Sequence, residues 1–174
     1  MRNVLSFAPI VILAGLVAAF TFLLVRGGGS HPTLTEGRIG RPAPTFALAE
    51  LGAHDLVTSD DFAGKPHLIN VFASWCVGCR AEAQVLMALK QQGVLMLGID
   101  YKDKPDDAAG YLRETGNPYA RVAQDPDGAF ALQLGTAGAP ETFVVGADGR
   151  IRAVIREPLT EATVRSDVMP ALAR

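Results

Sequence analysis

The sequence has little sulfur, little histidine and no excess of basic charge. Of its 174 residues two are cysteine and three are histidine, and 16 Lys and Arg against 18 Asp and Glu give a formal net charge of −2. A chain so poor in cysteine is not a disulfide-rich scaffold. Without a surplus of Lys and Arg it also lacks the electrostatic footprint of a nucleic-acid-binding protein.

One long apolar run is present, near the N-terminus. Residues Phe7 to Val25 carry no charged side chain. A helix over them would be about 28 Å long, close to the ~30 Å hydrocarbon core of a bilayer. A cleaved secretory signal, the alternative, has a shorter apolar region of about 7–15 residues followed by a small-residue cleavage site. We therefore predict an uncleaved transmembrane anchor over residues 1–26.

A Gly-Gly-Gly-Ser segment follows the apolar run. It predicts a flexible linker over residues 27–39 and one folded domain over residues 40–174. A domain of that size buries a core without cross-links. A disulfide between Cys76 and Cys79 would close a loop too short to add much stability. The sequence therefore argues against a structural role for the two cysteines.

The folded part alternates between strand and helix patterns. Apolar segments at 67–73 and 94–100 flank a helical segment at 77–92, which predicts a parallel strand–helix–strand unit with a right-handed crossover. Gly-Ala-Asp-Gly at 146–149 favours a tight turn between two antiparallel strands. The other predicted elements are a helix at 105–115, a strand at 119–124, a helix at 127–134, the hairpin strands at 141–145 and 150–156, and a helix at 159–172. This order predicts an α/β fold.

The two cysteines fall at the start of the helix predicted at 77–92. Cys76 and Cys79 are three residues apart, so they share a helix face and can form a disulfide. Unpaired backbone N–H groups at a helix start stabilise a thiolate, which is the reactive form of cysteine. Cys79, one turn further in, is suited to resolve a mixed disulfide. The spacing thus favours a thiol–disulfide couple.

A zinc site is the alternative for this spacing. Structural zinc usually takes four ligands, and no second Cys pair or His pair has metal-binding spacing. Besides the two cysteines the chain offers His31, His54 and His67. We therefore predict no metal and no other cofactor.

Two motifs resemble the thioredoxin superfamily. One is Trp-Cys-Val-Gly-Cys at 75–79 after a hydrophobic strand, and the other is Gly-Ala-Pro-Glu-Thr at 138–142, which resembles the cis-proline loop. Together with the stretches at 39–48, 98–120 and 134–151, they resemble the membrane-anchored thioredoxin-like proteins of cytochrome c biogenesis, the CcmG/DsbE type. The resemblance covers nearly all of residues 38–170. It implies a thioredoxin-like fold, with a central mixed sheet flanked by helices, behind the N-terminal transmembrane anchor.

The resemblance also implies roles for individual residues. Cys76 would be the exposed nucleophile and Cys79 its resolving partner, joined in a redox-active disulfide. Pro140 would be the cis-proline facing that disulfide. Glu82 and Glu141 would be the acidic residues of the active site. For Glu82 the alternative is a solvated helix residue without a role in the reaction.

Three further positions lie in or near the redox motif or its strand. Trp75, the only tryptophan, would be a cover for the active site or, alternatively, a core residue. Asn70 occupies the position where ordinary thioredoxins carry a buried Asp. Val77-Gly78 departs from relatives, which commonly place Pro directly before the second Cys.

The function implied by the resemblance is reductive. The dithiol would reduce the haem-binding Cys-x-x-Cys-His disulfide of an apocytochrome c, and a membrane electron donor would re-reduce it, with the haem-ligation machinery as a possible further partner. The protein would be a single-pass protein of the bacterial inner membrane with its catalytic domain in the periplasm. The alternatives are a general extracytoplasmic disulfide reductase with other clients and a non-catalytic, tethered zinc-binding module.

Overall fold

The computed structural model describes residues 13, 15–22 and 37–173. They fall into two units, one within residues 1–33 and one within residues 34–174. In the first, residues 15–22 are helical and expose Leu16, Val17 and Phe20. Among the described residues no helix is both long and apolar enough to cross a membrane. The rest of the predicted anchor, and the predicted linker up to residue 36, lie outside the described residues.

The second unit is built on a five-stranded sheet. Its strands are β3 (His67–Phe72), β4 (Met96–Tyr101), β5 (Arg121–Asp125), β6 (Glu141–Val145) and β7 (Ile151–Ile155). Their spatial order is β5-β4-β3-β6-β7. β3, β4 and β5 are parallel, whereas β6 is antiparallel to both β3 and β7. The predicted mixed sheet is confirmed.

Helices pack on both faces of this sheet. They are α1 (Val77–Gln91), α2 (Pro105–Thr115), α3 (Ala129–Leu134) and a C-terminal helix α4 over residues 161–172. All six residues of β3 are buried, and strand side chains alternate between faces. Leu68 accordingly joins a core cluster with Leu86 of α1, while Ile69 joins the opposite cluster with Phe130 of α3.

The predicted elements agree with the observed ones to within two residues at each end. The signals behind these predictions are visible in the structure. Pro105 opens α2, where its missing N–H costs nothing. Gly93, just beyond α1, adopts a φ of +81°, the left-handed conformation that ends many helices.

Two features of the fold were not predicted. Short strands β1 (Ala47–Ala49) and β2 (Leu56–Thr58) form an antiparallel pair, followed by a 3-10 turn at Ser59–Phe62. They carry no clear periodicity in the sequence. In addition, α4 is α-helical only at its two ends and winds as a π-helix over Val164–Val168.

The topology brings several distant segments to one edge of the sheet. Phe72, the last residue of β3, lies opposite Asp100 near the end of β4. Val71 lies opposite Glu141, the first residue of β6. Because α1 begins a few residues after β3, its first turn lies at the same place. We call this the site edge.

Candidate active site

The two cysteines lie at the site edge and are joined by a disulfide. Cys76 is the N-cap residue of α1, with an extended backbone, and Cys79 lies in the first turn. The backbone N–H of Cys79 donates a hydrogen bond to Cys76 Sγ over 3.0 Å. This is the position where a helix start stabilises negative charge on a sulfur. The predicted location of the pair is confirmed.

The exposure of the pair differs from the expectation. Cys76 was expected to be exposed, but its relative exposure is 3%, and that of Cys79 is 1%. The residues on either side of Cys76 are the exposed ones, at 55% for Trp75 and 83% for Val77. Segments that are remote in sequence pack over the motif, which is why local sequence patterns do not predict this burial.

Trp75 is not a core residue, so that alternative is wrong. Its Nε1–H donates to the backbone carbonyl of Lys102 over 3.2 Å, and its ring lies 6.4 Å from that of Tyr101. These contacts hold the indole beside the disulfide while leaving about half of it open to solvent.

The Ala139–Pro140 peptide bond is cis, as the resemblance implies. The proline ring packs against the backbone between the two cysteines. A Cβ placed on Gly78 would lie 2.9 Å from Pro140 Cδ and 3.1 Å from Pro158 Cγ. Pro140 thus contacts the redox motif, and the contact depends on glycine at position 78.

Glu82 lies one turn beyond Cys79 on α1 and is fully buried, so the solvated alternative is wrong. Its Oε1 accepts a hydrogen bond from Asn70 Nδ2 over 2.9 Å, and its Oε2 accepts one from the backbone N–H of Leu159 over 2.8 Å. Burial raises the pKa of this carboxyl, and the two hydrogen bonds partly oppose that effect.

Asn70 links Glu82 to a larger polar network in the core. Its Nδ2 also donates to Thr142 Oγ1 over 2.9 Å, and its Oδ1 accepts from the Tyr119 hydroxyl over 2.6 Å. Burial raises the pKa of Tyr119 well above its usual value, so the phenol stays a donor. Every member of this buried network has a partner, which is the condition under which such networks stabilise a core.

Glu141 follows the cis-proline and is 1% exposed. Its Oε2 accepts from the backbone N–H of Ala137 over 2.9 Å. Its Oε1 lies 3.0 Å from Arg156 Nε, but this oxygen has no well-aligned hydrogen bond, so the contact is an ion pair only. Burial raises the pKa of the Glu141 carboxyl, while the Ala137 N–H and the Arg156 charge lower it.

One buried acid at the site edge was not predicted. Asp100 is 1% exposed, and its Oδ1 has no hydrogen-bond partner within the described part of the chain. Burial, together with the nearby charge of Asp103, raises the pKa of Asp100 to about 7. Asp103 itself accepts hydrogen bonds from the backbone N–H and hydroxyl of Ser74, next to the redox motif. The available signal was an acidic residue ending an apolar strand.

The described residues contain no group of three or more His, Cys, Asp or Glu side chains placed to hold a metal ion. The chemistry available at the site edge is that of the sulfur pair and of three buried carboxyls, Glu82, Asp100 and Glu141. A sulfur pair at a helix start exchanges disulfides with other thiols. A carboxyl with a raised pKa keeps its proton to a higher pH than an ordinary carboxyl and can donate it during a reaction.

A mixed five-stranded sheet, a Cys-x-x-Cys pair at the start of a helix and a cis-proline packed against it define a thioredoxin-like protein. Residues 38–169 match the Redoxin family. The thiol:disulfide interchange protein HelX of Rhodobacter capsulatus is 41% identical, over 99% of this chain and 98% of that protein. DsbE of Escherichia coli is 41% identical over 87% of this chain and 84% of its own length. The chain therefore belongs to the Redoxin family and, within it, to the CcmG/DsbE type.

Solved structures agree on the fold. A DsbF homologue from Corynebacterium diphtheriae superposes with a TM-score of 0.68 at 24% identity, covering 83% of this chain and 96% of that one. A putative DsbE from Chlorobium tepidum gives 0.64 at 24% identity, covering 76% and 96%. At this level of identity the likeness concerns the fold alone.

Proposed function

We propose that this chain is a thiol:disulfide oxidoreductase that reduces the haem-binding Cys-x-x-Cys-His disulfide of apocytochrome c in the periplasm. The observation that carries the proposal is the Cys76–Cys79 disulfide at the start of α1, with Pro140 packed against Gly78, which lies between the two cysteines in the sequence. The relatives named as thiol:disulfide interchange proteins support the same chemistry. The direction of electron flow rests on the resemblance to the cytochrome c biogenesis type.

The reaction begins from the reduced pair. The Cys76 thiolate attacks one sulfur of the client disulfide, so that a Cys76–client bond forms and the other client sulfur leaves as a thiolate. The Cys79 thiolate then attacks Cys76 Sγ, which closes the disulfide described above and releases the second client sulfur. The client gains two electrons and two protons, and the pair loses both. A membrane electron donor then returns two electrons to the pair.

The buried carboxyls adjust this chemistry. Glu82 is three residues from Cys79 on α1, so both side chains lie on one helix face. A charged Glu82 disfavours a thiolate nearby, whereas a protonated Glu82 does not. We infer that Glu82 holds a proton during part of the exchange, and that Glu141, beside Pro140, shapes the charge seen by an incoming client.

The N-terminal segment fits a tether. We propose that residues 1–26 anchor the chain in the bacterial inner membrane with a single span, that residues 27–39 form a linker, and that residues 40–174 form the catalytic domain on the periplasmic side. The uncharged run Phe7 to Val25 supports this.

A trapping experiment tests the proposal. In a Cys79→Ser variant of the full-length chain, Cys76 attacks a client but the mixed disulfide has no resolving thiol. We expect an oxidised apocytochrome c, or a peptide bearing its Cys-x-x-Cys-His segment, to accumulate as a covalent adduct that dithiothreitol releases. Cys76→Ser, the matched control, should give no adduct.

The identity of the trapped protein decides between clients. Apocytochromes among the adducts of Cys79→Ser formed in cells support the proposal. If the adducts contain other proteins and no apocytochrome, the chain is a general reductase. Bound zinc together with an absence of dithiol exchange would contradict the enzymatic function altogether.

A further inference from the structure

Gly78 allows two prolines from distant parts of the chain to meet the redox motif. A Cβ on this residue would lie 2.9 Å from Pro140 Cδ, 3.1 Å from Pro140 Cγ and 3.1 Å from Pro158 Cγ. Optimal contacts between carbon atoms are about 3.5–4.0 Å. Both prolines would therefore have to move if residue 78 had a side chain, and proline rings are too rigid to yield by changing rotamer.

The two prolines help to explain why the disulfide is covered. Cys76 is 3% exposed although Trp75 and Val77 on either side are open to solvent. Pro140 approaches from the start of β6, and Pro158 from the segment between β7 and α4. The cover is therefore assembled from two segments that are far from the redox motif in the sequence.

Disulfide exchange requires that an attacking thiolate can reach one of the two bonded sulfurs. An attacking thiolate must approach a sulfur, form a bond to it and expel the other sulfur as a thiolate. For the Cys76–Cys79 disulfide to be reduced through Cys76, a donor thiolate must reach Cys76 Sγ while Cys79 leaves. Both sulfurs belong to residues that are nearly buried, so a small thiol has little direct access to either of them.

The two sides of the cover differ in how they are held. Pro140 is fixed at the start of β6, which pairs with strands on both sides. Pro158 lies in an irregular segment, where the backbone N–H of Leu159 is bound to Glu82 and Glu157 is exposed. A partner that contacts the exposed rim of the motif can displace Pro158 more readily than Pro140.

We propose that Gly78 is a specificity-determining residue of the disulfide exchange, because its missing side chain lets Pro140 and Pro158 close over the Cys76–Cys79 pair. The closed pair reacts with protein partners that displace the Pro158 segment and reacts slowly with small thiols. This inference rests on the proposed thiol:disulfide exchange, but it does not depend on which protein is the client.

Reduction of the oxidised full-length chain by dithiothreitol tests the proposal. Trp75, the only tryptophan, adjoins Cys76 and reports the reaction by fluorescence. We expect Gly78→Ala to raise the second-order rate constant about tenfold, which corresponds to about 1.4 kcal/mol in activation free energy. Reoxidation by oxidised dithiothreitol should accelerate to a similar degree, so that the equilibrium constant with dithiothreitol changes by less than about threefold.

A second variant removes part of the cover and leaves the sequence of α1 unchanged. Pro158→Ala removes the ring that meets Gly78 and should also accelerate reduction. Gly110→Ala on α2 is the matched control, because a Cβ there meets only Arg113 Nη2 at an ordinary 3.7 Å. Its rate should equal that of the unmodified chain.

Three results would overturn the proposal. They are unchanged rates in both Gly78→Ala and Pro158→Ala, acceleration in Gly78→Ala alone, and a change in the rate of reduction or of reoxidation alone, which shifts the equilibrium constant by the same factor. The last would mean that Gly78 sets the stability of the disulfide and not access to it. If the rates change as expected but Cys79→Ser traps no apocytochrome, the access role stands and the proposed client is wrong.

Discussion

Glu82 and Asp100 are two buried carboxyls near the same end of the sheet, and their surroundings are opposite. Glu82 accepts hydrogen bonds from Asn70 and from the backbone of Leu159. Asp100 Oδ1 has no hydrogen bond within the described residues, and the like charge of Asp103 raises the pKa of this carboxyl further. Burial raises the pKa of both groups, but only the pKa of Glu82 is pulled back by donors.

Glu82 stabilises the fold through its hydrogen bonds, whereas the ionised form of Asp100 destabilises it. Glu82 joins α1, β3 and the segment before α4, because its two partners come from the latter two places. Asp100 Oδ1 makes no hydrogen bond to another element within the described residues. Ionising the Asp100 carboxyl inside the protein therefore costs free energy without a compensating contact. Substitutions at the two positions should therefore change the free energy of unfolding in opposite directions.

The largest effect is expected at Glu82. Glu82→Ala leaves the N–H of Leu159 and one N–H of Asn70 without an acceptor and also creates a cavity. The free energy of unfolding should fall by about 3–5 kcal/mol, as measured by urea denaturation with the disulfide intact. Glu114→Ala is the matched control, since Glu114 is an exposed residue paired with Arg80, and such pairs contribute about 0–1 kcal/mol. Equal losses in the two variants would contradict the structural role of Glu82.

A smaller effect of opposite sign is expected at Asp100. Its pKa in the folded chain, about 7, lies above its ordinary 3.8, so the folded state holds a proton that the unfolded state has lost. The stability of the unmodified chain should therefore fall as pH rises from about 4 to 7 and level off above that.

Asp100→Asn removes the group whose ionisation lowers the stability between about pH 4 and 7. Its stability relative to the unmodified chain should rise across the same interval and reach about 1–3 kcal/mol at pH 8. Denaturation curves at pH 4, 6 and 8 measure the difference. If the variant is less stable at pH 8 than at pH 4 relative to the unmodified chain, Asp100 is not the proton-holding group.

The features that could be predicted from the sequence are those that depend on neighbouring residues. The strands at 67–73 and 94–100 are apolar runs, and the Cys-x-x-Cys pair lies within a single helical turn, so fold class and reacting sulfurs followed from neighbouring residues. The hairpin of β1 and β2 was missed because its strands are three residues long and contain Ala and Leu, which favour helices.

The sequence could not predict what depends on distant contacts. Glu82 reads as an ordinary helix glutamate, and its burial is set by Leu159, 77 residues away. Pro140 and Pro158 approach Gly78 from segments that are distant in the sequence. Asp100 is buried because helices and strands close around the end of β4. Each of these features arises only when the whole fold assembles.

The smallest predicted effect tests why Asp100 and Glu82 differ. The charge of Asp103 is the second cause, after burial, of the raised pKa of Asp100. Asp103→Asn removes that charge while keeping an oxygen able to accept from Ser74. The midpoint of the Asp100 titration, followed by carboxyl carbon NMR, should fall by about half a pH unit. Asp106→Asn, which is not among the causes of the shift, should leave the midpoint unchanged. If both variants leave it unchanged, the like charge of Asp103 contributes nothing, and Asp100 differs from Glu82 only in lacking hydrogen-bond donors that lower its pKa.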